Sequence, residues 1–317
     1  MFCIVALVVA VAFAQPHTAS ADMGPKPSIN VKFENVSDRL CYATILSKYN
    51  STGPYSAYDP DSGLDYRNFG AYDSNYYYDE NYHNEEVERT WQAFVDYKDA
   101  DGYYFLQLWW KVDGENNQIR WGYYPPYSFK LLLYYPDSNM FVTSLVYERY
   151  AFDSYYTVDL TNANVQLNPD TSAGSSNPGS SQGEVLIELE MSYDYFGEIV
   201  GLLCRIALTI LIELLIALIF RMKGRKVMLT ILAVNVVTQI ALNVALNLIY
   251  YLNGVLVYLL FFILLEIAVV IVEAVAYSLL LRKHGVPIWK SLIYALVANA
   301  VTAVAGFFLA HILPGMF

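Results

Sequence analysis

The chain is poor in cysteine, histidine and basic residues. It has three cysteines and four histidines in 317 residues. Cys3 lies in an apolar N-terminal run and Cys204 in a later one, which leaves Cys41 alone between them, so no disulfide can form within that middle region. A domain there must be held by a packed core, which some 170 residues rich in aromatics can supply. No H-E-x-x-H pattern occurs, His284 and His311 are isolated in the C-terminal half, and Ser278 and Ser291 stand in no glycine-flanked turn. The usual sequence marks of a zinc or serine hydrolase are therefore missing. The expectation is a non-enzymatic chain with no cofactor, no metal and no catalytic residue. Bases are outnumbered, 19 against 30 acids, and unevenly so: the part before Phe196 has 26 acids and 11 bases, a net of −15, while the remainder carries +4. An acidic domain repels phosphate, which excludes nucleic acid as its partner.

Long apolar runs are abundant. Four of them, at about Ile199–Phe220, Val227–Tyr250, Val255–Leu281 and Ile288–Leu313, are each long enough for a helix to cross a ~30 Å hydrocarbon layer. The connections at 221–226 and 282–287 carry Arg221, Lys223, Arg225, Lys226, Arg282 and Lys283, whereas Tyr251–Gly254 has no charge. The positive-inside rule then puts both basic connections in the cytoplasm and the preceding domain and the C-terminus outside. Phe2–Ala14 is apolar but too short to span, and Ala19-Ser20-Ala21 follows it, the composition of a secretory signal cleaved after Ala21. The expected organisation is a signal peptide at 1–21, an extracytoplasmic β-rich domain at 22–165, a Ser/Gly/Asn/Pro linker at 166–184 that uncouples the two parts, and a transmembrane domain at 185–317 in a cell membrane.

The outer region changes pattern. Short β-branched and aromatic stretches at Ile29–Glu34, Leu40–Lys48, Tyr103–Val112, Ser128–Tyr135, Met140–Tyr147 and Ser154–Leu160 predict strands, with a further one at Val185–Met191. Pro136-Asp137-Ser138-Asn139 predicts a hairpin turn. Val87, Trp91, Phe94 and Val95 form one face of an amphipathic helix over Asn84–Lys98. The expected fold is α+β, a mostly antiparallel β-sandwich with one helix, followed by an all-α four-helix bundle. Asp99-Ala100-Asp101-Gly102 imitates an EF-hand, but its register puts Tyr97 and Leu108 at ligand positions and so rules calcium out. Asp59, Asp61 and Asp65 around Gly63 read as a solvated turn. Tyrosines beside carboxylates and amides over Ser51–His83 suit contact with a glycan or a cationic peptide.

Polar residues recur inside the apolar runs. Arg205 and Glu213 share a face of the first, Asn235, Thr238, Gln239 and Asn243 line the second, Glu266, Glu273 and Tyr277 the third, and the fourth adds Asn299, Thr302 and, near its end, His311. Ionisable groups at membrane depth cost about 2.5 to 3.5 kcal/mol each, so they must face the bundle interior. Two readings stand. In one, the amides and Thr are interhelical glue and Arg205 pairs with a glutamate of a neighbouring helix. In the other, the set lines a polar cavity for a headgroup, an ion or a proton, as in a small-solute or proton-coupled carrier or accessory subunit. Expected partners are the lipid bilayer, another membrane protein or a second copy, and an extracellular glycan or peptide.

At Asp22-Met23-Gly24-Pro25-Lys26-Pro27-Ser28, Ser51-Thr52-Gly53-Pro54, Tyr147 to Tyr155 and Asn235-Val236-Val237-Thr238-Gln239, the chain resembles a family of uncharacterised bacterial membrane proteins. Over nearly the whole chain the resemblance implies a signal peptide, an extracytoplasmic domain, four C-terminal helices and a bacterial cell membrane. It implies no activity.

Overall fold

The computed structural model describes residues 24–65, 85–161 and 186–312. The expected signal peptide, the whole of the expected linker and most of the tyrosine-rich stretch lie outside the described residues.

The N-terminal region is β-rich, with mixed sheets. One sheet has the order β12-β10-β1-β6, from Glu190–Met191, Asp153–Asp159, Ser28–Glu34 and Gln118–Trp121. The other has the order β11-β8-β7-β2-β5, from Leu186–Ile187, Met140–Ser144, Ser128–Tyr135, Cys41–Ser47 and Tyr104–Val112, with β9 (Tyr147–Glu148) also on β7. A small hairpin, β3 (Ser51–Thr52) and β4 (Tyr55–Ser56), stands apart. Antiparallel pairing does not run throughout: β1 pairs β10 in parallel, Ile29 opposite Ser154, and β11 pairs β8 in parallel. Alternation alone specifies which face of a strand is buried but not which direction its neighbour runs.

Strand alternation places the core. Ile29, Val31 and Phe33 of β1 join Tyr156 and Val158 of β10, Ile119 and Trp121 of β6, and Cys41, Ala43, Ile45, Leu131 and Leu133 of the second sheet in one buried cluster. β2 and β7 are almost wholly buried because their other faces, with Tyr42, Leu46, Leu132 and Tyr134, meet Trp91 and Phe94 of α1 (Glu85–Asp96). The register slips between Thr44 and Leu46 opposite β5, where Gln107 adopts φ 63°. That bulge turns the Gln107 amide toward the helix: its Oε1 accepts from Trp91 Nε1 at 3.1 Å and its Nε2 donates to Ser56 O at 3.1 Å. The false EF-hand has a different use. Asp99 and Asp101 hold the Lys130 ammonium at 2.9 and 2.6 Å, with Asp99 fully buried.

Helices follow. Among the described residues, α2 (Tyr195–Ile219), α3 (Arg225–Leu280) and α4 (Ile288–Ile312) are the three elements long and apolar enough to cross a membrane. Asp194 caps α2 by accepting from Gly197 N at 2.9 Å. α3 is assigned as 56 residues, about 84 Å if straight, yet Gly254 breaks it with φ 76° and ψ −177°. Residues before the break touch residues after it in descending order: Asn235 with Tyr277, Thr238 with Glu273, Tyr250 with Tyr258. Met222, Val227, Leu281 and Val286 gather with Tyr294, so the two basic connections sit at one end of the helices.

The β-rich region meets the opposite end. Phe152 N donates to Tyr251 O at 2.8 Å, and the Phe152 ring lies where a side chain on Gly254 would stand, 2.5 Å from a β-carbon built there. The two parts are thus in direct contact at the Gly254 bend.

Candidate functional site

Two places concentrate chemistry. The first is the junction between the outer sheets and the helices. β10 presents Asp153 and Tyr155; the segment entering α2 adds Ser192, Tyr193, Asp194, Gly197 and Glu198; and the α3 bend adds Tyr250 and Tyr251, together lining a cleft of about 240 Å³. The rings support one another: Tyr193 meets Tyr251 edge-on at 5.2 Å and Tyr195 at 4.9 Å, and the Tyr195 and Tyr251 hydroxyls lie 3.3 Å apart. Part of the acidity is already engaged, since Asp153 Oδ1 accepts from Ser28 Oγ at 2.5 Å and Asp194 caps α2. Burial pushes the Tyr193 phenol above its ordinary pKa, with the Glu198 charge adding to it, and burial followed by the Asp153 charge does the same for Tyr155. Both phenols therefore stay neutral at physiological pH and keep electron-rich faces. Among the described residues, no Lys or Arg lines the cleft.

The second place is inside the helices. Six of the nine polar residues singled out in the first three apolar runs are linked there through side chains or fields, and three are not. Glu213 of α2 and Glu273 of α3 are both fully buried. Glu273 Oε1 accepts from Thr238 Oγ1 at 2.6 Å and Oε2 from Asn299 Nδ2 at 2.7 Å. Asn235 Nδ2 donates to the Tyr277 hydroxyl at 2.9 Å and to Ile231 O at 3.1 Å. Glu213 has the Asn235 amide, Tyr294 and the Glu273 charge as its polar surroundings, and half-buried Glu266 contributes only through its field. Gln239 and Asn243 bond mainly to one another, one α-turn apart. Arg205 pairs with no glutamate: its Nη2 donates to Asn247 Oδ1 at 3.2 Å. It lies two turns before Glu213, about 12 Å along the axis, beyond ion-pair reach of that carboxylate.

Sequence reasoning undervalued α4. Tyr294 donates to Glu213 O at 3.1 Å, stacks obliquely on Tyr277 at 5.4 Å, and stands with buried Ser291 and Asn299 on the same buried face. Ser291, Tyr294, Ala295, Ala298 and Asn299, three or four residues apart, are the signal: a stripe of polar and small residues in an otherwise aliphatic segment.

No protein-family model, curated protein or solved structure matches the chain. Its class therefore rests on the fold: a membrane protein with a β-rich N-terminal region and three helices apolar enough to span. Of the resemblance noted from sequence, that coarser description is what stands.

Proposed function

We propose that the chain is a non-enzymatic, multi-pass protein of the cell envelope that binds a small organic cation, such as an amine or a basic peptide side chain, in the junction cleft at the membrane surface. In this reading α3 is two spans joined at Gly254, which makes four spans with α2 and α4. The β-rich region, a two-sheet sandwich backed by α1, is then an extracytoplasmic domain delivered by a signal peptide. The grouping of both basic connections at the end opposite the β-rich region supports that orientation. Tyr193, Tyr195, Tyr250 and Tyr251 then lie at the water–lipid boundary, where amphipathic rings concentrate.

One observation carries the binding role: four tyrosines and three carboxylates converge on a cleft lined by no basic side chain. Aromatic faces attract cations by about 0.5 to 2 kcal/mol each, and the carboxylates supply the counter-charge. Because β10, the entry to α2 and the α3 bend all contribute walls, occupancy would bear on the packing of the outer domain against the helices.

Calorimetric titration of the full-length protein in nanodiscs with tetramethylammonium, against uncharged neopentyl alcohol, tests this. Saturable binding of the cation, weakened about tenfold or more by Tyr193→Ala, is the expected result. Equal, non-saturating responses to both probes would remove the reading.

A further inference from the structure

We propose that the buried cluster between α2, α3 and α4 is a binding site for one small monovalent cation, Na⁺ or H⁺, held by the Glu213 carboxylate with the side-chain oxygens of Asn235 and Asn299. The argument is one of donors and acceptors. Both carboxylate oxygens of Glu213, Asn235 Oδ1 and Asn299 Oδ1 are buried with no hydrogen-bond partner. All four are acceptors.

The amide orientations are not interchangeable. Asn235 Nδ2 faces Ile231 O, and Asn299 Nδ2 faces both Ala295 O and Glu273 Oε2, so turning either amide would set oxygen against oxygen. The cluster therefore has a true surplus of lone pairs. Buried polar atoms are as a rule partnered, and a group of unpartnered acceptors points to a missing donor or cation. Ser278 and Ser291 hydroxyls are also unpartnered, and neither lies within hydrogen-bond reach of the four oxygens.

Charge balance leads to the same conclusion. The charged and titratable groups around Glu213 are Arg205 on its own helix, Glu266, Glu273 and Tyr277 on α3, and Tyr294 on α4. Arg205 donates through Nη2 to Asn247 while its Nε is unpartnered two turns away from Glu213, and no ion pair to either buried glutamate is present among the described residues. Glu273 already accepts two hydrogen bonds, whereas the donors beside the Glu213 carboxylate are spent elsewhere, Asn235 Nδ2 on Ile231 O and the Tyr277 hydroxyl and Tyr294 on the Glu213 backbone carbonyl, which leaves its oxygens without a bond. A single positive charge at Glu213 therefore matches the vacancy. A divalent ion would call for more anionic ligands, and no cluster of three or more His, Cys, Asp or Glu suited to a metal occurs among the described residues. Hard oxygens from one carboxylate and two amides suit Na⁺, and a carboxyl proton would satisfy the same oxygens by hydrogen bonding.

The site is independent of the junction cleft, which lies near the other end of α2. The test uses full-length protein in nanodiscs at several pH values, measuring ²²Na⁺ binding with choline replacing sodium, and carboxyl C=O infrared absorption. Saturable ²²Na⁺ binding that protons compete away, reduced at least tenfold in Glu213→Gln, would establish sodium. No sodium binding, with a protonated-carboxyl band that vanishes in Glu213→Gln, would establish the proton. If the wild-type protein binds no sodium and has no such band, the proposal is overturned; the wild-type measurements suffice should the variant fail to fold.

Discussion

Lys130 in the outer region and Glu213 in the helices are both buried ionisable groups, and the protein treats them in opposite ways. Lys130, in the middle of β7, is held by Asp99 and Asp101. Glu213 is equally hidden, yet its carboxylate accepts no hydrogen bond. A saturated network specifies geometry, fixing the loop after α1 against the sheet; an unsaturated one leaves room for something else. The difference separates a buried charge that is fully partnered from one that is not.

The comparison can be broken most forcefully by removing a charge from each region. Lys130→Met should destabilise the protein by about 3 to 5 kcal/mol, because fully buried Asp99 loses its counter-ion. In sodium-free medium Glu213→Gln should be neutral or slightly stabilising, within about 1 kcal/mol, since no protein hydrogen bond to the carboxylate is lost. Thermal unfolding followed by tryptophan fluorescence measures both, and equal losses would abolish the distinction.

A change at the boundary sharpens it. Gly254→Ala places a β-carbon 2.5 Å from the Phe152 ring at a φ of 76°. About 1 to 3 kcal/mol of strain should result, released by parting the outer region from the bend. Faster limited proteolysis of the outer region is the expected outcome, while sodium or proton occupancy at Glu213 should be unchanged.

The smallest effect is one of pH, and it belongs to the outer core. Burial pushes the Cys41 thiol up to about 12, against 9.0 for the free group. A raised acid favours its neutral form, so this contribution to stability is complete below pH 9 and is lost as pH rises from there towards 12, by up to about 1.4 kcal/mol per pH unit. Buried Tyr42 and Tyr135 are displaced in the same direction by burial and add to the slope. Denaturant midpoints at pH 8, 9 and 10 should fall only over the last step, and Cys41→Ser should flatten part of the fall.

Much of this was legible in the chain. Ile29, Val31 and Phe33 alternate with polar residues and become β1; Val87, Trp91 and Phe94 recur at helical spacing and become the face of α1 on the second sheet. β6 was missed because Gln118–Trp121 is only four residues and stands between Asn116-Asn117 and Gly122, a turn composition. Within the helices, Glu213, Asn235, Thr238, Glu273 and Tyr277 were visible as polar interruptions of apolar runs. Asn299 was visible in the same way, whereas Tyr294 carried less signal because tyrosines are ordinary in such helices.

By itself, then, the sequence determined the division into a β-rich acidic region and apolar helices, because periodicity and hydropathy act over a few residues and need no distant partner. Tertiary structure alone decided the parallel pairing of β1 with β10, the seat of Phe152 on Gly254, the choice of Asn247 rather than a glutamate for Arg205, and the lone position of the Glu213 carboxylate. Each of these depends on which of several chemically equivalent partners comes within about 3 Å, and that is set by the packing of elements far apart in the chain.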